Sequence, residues 1–273
     1  MNIVCVYRSS HFSPNMEDGD AAILNAVADN LLQMGHVVQC IHEEQLVQTD
    51  FEHIDVVYSM GRAERTLDIL QEVESNGVKV INPSAGIRNC ERKLFTQILM
   101  DEDVPFPTSR VFRSADSITW DIYPCWLKKG EGYAQVAEDV VFVKTPQMLA
   151  CEIQKMRKRG IESMVVSQHL DGDLIKFYGV KGTSFFYWYY ASEGHSKFGL
   201  EIINGKEHGY HFSEQQLHNL CNHAATVLGL DVYGGDCVVS KDGLIQVIDM
   251  NDWPSFSRCR EQAAEIITKN ITE

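Results

Sequence analysis

Between residues 3 and 81, short apolar runs of strand length alternate with amphipathic stretches of helical period, and this alternation leaves few folds open. Residues 3–7 are a strand, and Asp20 is placed to cap a helix whose apolar face carries Ile23, Val27, Leu31 and Met34 before Gly35 stops it. Residues 36–41 and 54–58 are the next strands. A helix over 62–75 ends at Asn76-Gly77, where a left-handed conformation costs little, and 78–81 is a fourth strand. Strands separated by helices need right-handed crossovers, so this unit is α/β with a parallel sheet. Its first strand-to-helix connection holds only Gly19 and no GxGxxG, which excludes a dinucleotide fingerprint. Arg8, Ser9, Ser10 and His11 follow the C-terminal end of a strand, where open α/β sheets bind ligands; a solvated loop is the plainer reading.

Beyond residue 88 the pattern becomes α+β. A helix over 92–101 is followed by Val104-Pro105-Phe106-Pro107, which forces extended chain. Strands are expected over 108–112, 122–128 and 140–143, and Thr145-Pro146 opens a helix that continues to 159. The basic run Lys155-Met156-Arg157-Lys158-Arg159 is that helix's C-terminal end, where cations are favourable. Segments 164–170, 174–180 and 184–190 read as antiparallel strands, and Ser213 with Gln216 opens a helix ending near Gly229. A hairpin pairs 236–240 with 244–249 around Lys241-Asp242-Gly243, and a helix over 259–269 closes the chain. Three units follow: 1–88, 89–163 and 164–273.

A chain of 273 residues buries about 73% of its extended surface, so the 44% hydrophobic content supports a core without staples. The eight cysteines include no CxxC pair and read as reduced thiols of a cytoplasmic protein. The opening Met1-Asn2-Ile3 lacks the basic start of a signal peptide, and no apolar run is long enough to span a membrane. With 24 basic against 38 acidic side chains the net charge is -14, which excludes a broad basic face for nucleic acid. Small-molecule partners are expected, without nucleic acid or membrane, and a homodimer is compatible with such a chain.

The sharpest chemical signal is the C-terminal hairpin. Asp236 opens one strand, and Asp249 and Asn251 end its partner on one face, with Asp236 and Asp249 roughly opposite each other. Three oxygen donors without cysteine or histidine suit Mg²⁺; Asp and Asn also serve a hairpin's own turns. His208 with His211, and Cys221 with His223, supply too few ligands for zinc, and no GxSxG, HExxH or P-loop pattern occurs.

The segment 229–236, Gly-Leu-Asp-Val-Tyr-Gly-Gly-Asp, followed by 247–254, Val-Ile-Asp-Met-Asn-Asp-Trp-Pro, resembles the closing metal motif of the ATP-grasp superfamily. The resemblance covers nearly the whole chain and implies an ATP-grasp fold behind an N-terminal α/β pre-ATP-grasp domain. It implies ATP as co-substrate and one or two Mg²⁺ ions, with Mn²⁺ able to substitute, held by Asp236, Asp249 and Asn251. Asp at 249, where Glu is commoner, is similar to the superfamily's inositol phosphate kinases. Lys93 and Lys128 resemble the nucleotide lysines, and Lys129-Gly130-Glu131-Gly132-Tyr133 resembles the loop that closes over phosphates. That loop departs from the pattern at Lys129, where Pro is usual, and through its bulky Glu131 and Tyr133. Gln168, His169 and Leu170 look like the hinge over the base, and Asp173 is similar to the ribose partner. Lys176 is a further polar candidate. His195 and Lys197 follow the aromatic strand, where relatives place a cation against the γ-phosphate, which gives Lys197 and Lys128 the catalytic positions, with Arg8 toward the acceptor. The activity implied is ligation: a carboxylate activated as acyl phosphate and attacked by an amine or thiol, releasing ADP and phosphate. The alternatives are a kinase of a small polyol phosphate, or a catalytically altered nucleotide-binding protein.

Overall fold

Strand β1 (Asn2–Tyr7) sits inside a parallel sheet with β2 (Val37–His42) on one side and β3 (Val56–Ser59), then β4 (Lys79–Ile81), on the other. The computed structural model describes residues 1–13, 17–194 and 199–272. The two-residue period of β1 divides the core. Val4 and Val6 meet Leu67, Leu70 and Val73 of helix α2 (Glu64–Ser75), while Ile3 and Cys5 face Ile23, Leu24, Val27 and Leu31 of α1 (Glu17–Gln33). Asp20 lies inside α1 and not at its cap: its carboxylate accepts from Ser13 Oγ at 2.6 Å and from Arg8 Nη1 at 3.1 Å.

Helices α3 (Ser84–Asn89) and α4 (Arg92–Asp101) lead into an antiparallel sheet of order β5-β8-β6-β7. Its strands are β5 (Ser109–Arg113), β6 (Cys125–Lys129), β7 (Val140–Val143) and β8 (Ser163–Gln168). Helix α5 (Pro146–Lys158) covers it, placing Leu149, Ile153 and Met156 on Cys125, Leu127, Val143 and Val166. Thr145 Oγ1 caps α5 by accepting from Met148 N at 3.2 Å, as the Thr-Pro pair predicts.

The third sheet is antiparallel too, of order β10-β9-β11-β12, from β9 (Asp173–Val180), β10 (Phe186–Tyr190), β11 (Val232–Val239) and β12 (Ile245–Asp252). Helix α6 (Glu214–Leu228) packs Leu217, Cys221, Ala224 and Leu228 against its Phe177, Tyr233, Cys237 and Val247. The two strands carrying the oxygen donors approach tightly at Gly235, where a Cβ would stand 2.2 Å from the Asp249 carbonyl oxygen.

The last helix, α7 (Arg260–Thr272), returns to the first sheet: Ala263, Ala264 and Ile267 join the α1 face beside Trp253 and Phe256. Small residues on α7 let the two helices approach closely. Buried Asn82, just after β4, accepts from the N–H groups of Asp231 and Val232 at 2.8 and 2.6 Å and donates to Val232 O at 2.7 Å, tying the first sheet to the third. Among the described residues no helix is long and apolar enough to cross a membrane.

Candidate active site

A cleft of about 440 Å³ runs between the second and third sheets and ends against the first. Its centre is set by strand register. Asp236 of β11 pairs with Lys176 of β9 on one side and Asp249 of β12 on the other. Lys176 Nζ donates to Asp236 Oδ1 at 2.8 Å, and burial, which disfavours its charge, is outweighed by that carboxylate, so its pKa is raised. Register slips by one residue after Asp236, leaving Ile248 unpaired on β12. The carbonyl of Ile248 accepts from Lys128 Nζ at 3.5 Å, across the cleft from β6. Burial and the nearby Arg92 guanidinium lower the Lys128 pKa to about 8.

Asn251, two residues beyond Asp249 on the alternating strand, lines the same cleft. Two carboxylates and an amide oxygen form a hard donor set that fits a small divalent cation completed by phosphate oxygens. Among the described residues no group of three His, Cys, Asp or Glu is placed to hold a metal ion. Lys176 stands against one carboxylate, and Arg92 Nη2 lies 3.9 Å from Asp249 Oδ1.

Arg92 is a residue that sequence reasoning missed in favour of its neighbour. Lys93 turns to Glu91, 3.3 Å from its Oε1, and does not line the cleft. One position along a helix rotates a side chain by about 100°, and Arg92 shares the i, i+3, i+7 row with the cleft-facing Phe95 and buried Leu99. That row was the available signal.

The glycine loop differs from expectation as well. Gly130 donates its N–H to Ser163 O at 2.8 Å, and Gly132 donates to Glu91 Oε1 at 2.9 Å. Both amides are held by the protein rather than offered as a phosphate cradle.

Toward one end the cleft becomes an apolar slot lined by Phe95, Trp126, Val140, Leu174, Val238 and Met250, with Gln168, His169 and Leu170 along its edge. That edge is fixed by backbone: Gln168 N–H donates to Thr108 O at 2.8 Å and His169 N–H to Pro124 O at 3.1 Å. Trp126 Nε1 donates to His169 Nδ1 at 3.1 Å, and burial lowers the His169 pKa. Asp173 does not reach this slot. It is 1% exposed, and its carboxylate accepts from the N–H groups of His208 and Tyr210 at 2.6 and 2.8 Å. Burial alone would raise its pKa, but those donors hold it below the usual carboxylate value. Its partners belong to a distant segment that no local motif identifies.

At the other end, Arg8 and Arg62 grip Asp252. Arg8 donates to Asp252 Oδ2 at 3.0 Å, to Asp20 at 3.1 Å and to Met60 O at 3.1 Å; Arg62 donates through Nη2 to Asp252 Oδ1 at 2.6 Å. Asp252 is fully buried, and although burial opposes its charge the two guanidiniums keep its pKa low. Its alternation with Asn251 was the sequence signal: the next residue on β12 must point the other way, toward the first sheet. Lys197 and His195 lie outside the described residues.

No family model and no curated protein matches the chain in sequence. Its fold does match solved structures over its whole length. The D-alanine–D-alanine ligase of Bacillus anthracis complexed with ATP superposes with a TM-score of 0.71 at 15% identity, covering 100% of this chain and 95% of that one. The D-alanine–D-alanine ligase of Coxiella burnetii gives 0.70 at 12% identity, covering 100% and 96%. A RimK domain ATP-grasp protein from Sphaerobacter thermophilus gives 0.67 at 13% identity, with 100% of both chains covered. The chain has the ATP-grasp fold.

Proposed function

We propose that this chain is an ATP-dependent ligase that activates a carboxylate as an acyl phosphate and transfers it to an amine or thiol, releasing ADP and phosphate. The observation that carries this reading is one continuous cleft in which Lys128, Lys176 and Arg92 meet the oxygen donors of Asp236, Asp249 and Asn251, between an apolar slot and a charge-balanced end. The slot suits a planar base. The cations suit the triphosphate, whose negative charge shifts from the γ-phosphoryl group toward ADP as the bond breaks. Asp236, Asp249 and Asn251 would hold Mg²⁺, which when bound neutralises phosphate charge.

In the first step an oxygen of the substrate carboxylate bonds to the γ-phosphorus while the bond to the ADP oxygen breaks. In the second, the amine nitrogen or thiol sulfur bonds to the acyl carbon, phosphate leaves with the C–O electron pair, and the nucleophile's proton is released. Lys128 is suited to the first step because its ammonium, already short of solvation, gains most from a phosphate oxygen. The D-alanine–D-alanine ligases among the structural neighbours support the reaction class; at 12–15% identity they do not carry the substrates over.

The acceptor end favours a ligase over a polyol phosphate kinase. Two guanidiniums there, Arg8 and Arg62, face two carboxylates, Asp20 and Asp252, so their formal charges cancel. A phosphorylated acceptor needs uncompensated cations. The test is a product inventory. The protein is incubated with Mg-ATP and a panel of amino acids, small peptides and polyol phosphates, then assayed for free phosphate and product mass. Phosphate release coupled to a product lighter than its two precursors by one water is the expected result. A product heavier by one phosphoryl group, without free phosphate, would establish the kinase instead.

A further inference from the structure

The loop after β6 reaches beyond the phosphate region. Tyr133 lays its ring on the Arg62 guanidinium, whose central carbon is 3.7 Å from the ring centroid. Its hydroxyl is 3.4 Å from Asp252 Oδ1 and 3.3 Å from Ile87 O, and Phe12 meets it edge-on with centroids 6.2 Å apart. Two residues on, Gln135 Nε2 contacts His11 Nε2 at 2.6 Å. The loop that begins on the second sheet is thus fastened to the substrate side of the first.

Arg62 is held on two of its sides. Its Nε and Nη2 edge is spent on Asp252, with Nε 3.1 and 3.2 Å from the two carboxylate oxygens, and one face lies under Tyr133. Among the described residues no hydrogen-bond partner engages Nη1, and Arg62 lines the cleft. A guanidinium fixed in plane by a carboxylate and a ring, with one edge open, is a receptor for a single carboxylate. Because Asp20 and Asp252 already balance Arg8 and Arg62, that edge suits a small monoanion and not a polyanion.

We propose that Tyr133 is a positioning residue of the acceptor end: stacked on Arg62, it holds the Nη1 edge toward the substrate carboxylate and seals that end when the loop lies over the cleft. The proposal rests on the ligase reading. The ring matters more than the hydroxyl, whose contacts are long, whereas the stack is close. Without the ring, water reaches the acyl phosphate. Its oxygen bonds to the acyl carbon, phosphate leaves, and the free carboxylate is regenerated, so ATP is consumed with no ligated product.

The test compares wild type with Tyr133→Phe, Tyr133→Leu and Arg62→Met in the full chain. It reads amide exchange over 130–136, affinity for a non-hydrolysable ATP analogue, and ADP formed in the presence of Mg-ATP and acetate as a bare carboxylate probe. Tyr133→Phe is expected to match wild type in all three. Tyr133→Leu is expected to raise exchange over 130–136 by about tenfold and the acetate concentration needed for half-maximal ADP formation by about tenfold, while keeping nucleotide affinity within about threefold. Arg62→Met should raise exchange similarly but lose the response to acetate. Unchanged exchange in Tyr133→Leu would overturn the positioning role by itself. A wild type that neither binds the analogue nor forms ADP would overturn the ligase reading, and the acceptor role with it, even where the exchange result held.

Discussion

Asp236 and Asp249 face each other across the β11–β12 pair at the last position before the register slips, and Lys176 Nζ sits 2.8 Å from the first of them. Placing two carboxylates on adjacent strands is unfavourable unless cations stand between or beside them. Lys176 and Arg92 supply that charge in the protein as folded. A divalent ion arriving with the nucleotide would let both cations turn to the phosphates, so metal and ATP should bind together.

That coupling gives the first prediction. Asp249→Asn should weaken Mg-dependent binding of a non-hydrolysable ATP analogue by at least about tenfold, the loss of roughly one charged ligand contact. With Mg²⁺ removed by chelation, wild type and variant should bind within about threefold of each other, because the carboxylate then only repels phosphate. Titration calorimetry with and without the metal reads both numbers. Equal loss in the two conditions would assign Asp249 to structure instead.

Lys128 gives a pH prediction whose sign is fixed by its depressed pKa of about 8. Phosphate oxygens beside the ammonium raise that pKa, so binding at pH 8 takes up protons. At pH 6 the lysine is protonated in both states and uptake vanishes. ATP affinity should therefore fall as pH rises through 8, and the calorimetric enthalpy at pH 8 should vary with the buffer's ionisation enthalpy. Lys128→Met should abolish that buffer dependence. Lys176, whose pKa is raised, does not titrate in this window and cannot mimic the effect.

Arg92 and Lys93 separate cleanly by substitution. Arg92→Met should reduce analogue affinity by about tenfold, because its guanidinium is in the cleft, largely shielded from solvent and 3.9 Å from Asp249 Oδ1. Lys93→Met, removing only a half-exposed pair with Glu91, should change affinity less than about twofold. The reverse ranking would mean that α4 turns on binding.

What could be read in the sequence was whatever depended on near neighbours. The parallel first sheet, the Thr145 cap and the opposition of Asp236 and Asp249 follow from periodicity and a short turn, and all are present. What could not be read depends on distant pairing or helix phase. Arg8 meets Asp252 across 244 residues, and α7 leaves the third sheet to complete the core of the first. The choice between Arg92 and Lys93 turns on a single step of the helix, and the bulk of Tyr133 in a glycine loop is accounted for by Arg62, distant in sequence, beneath its ring.

Asp173 supplies the last prediction, since it divides a nucleotide role from a structural one. Its carboxylate receives two backbone N–H groups and stands 3.1 Å from His208 Nδ1, all on the segment 208–210. Removing a buried charged acceptor leaves those donors unpaired, so Asp173→Ala should cost about 2–4 kcal/mol in urea unfolding. Nucleotide affinity of the folded variant should stay within about threefold of wild type, a loss too small for a lost charged contact to ribose. The pH dependence follows from the lowered pKa: the stabilisation is present above the unfolded value of 3.8 and disappears as pH falls through the folded one. The stability difference between wild type and Asp173→Asn should therefore shrink on acidification below about pH 4. A variant that kept its stability and lost nucleotide affinity about tenfold would return Asp173 to the ribose, and would require the 208–210 segment to release it when ATP binds.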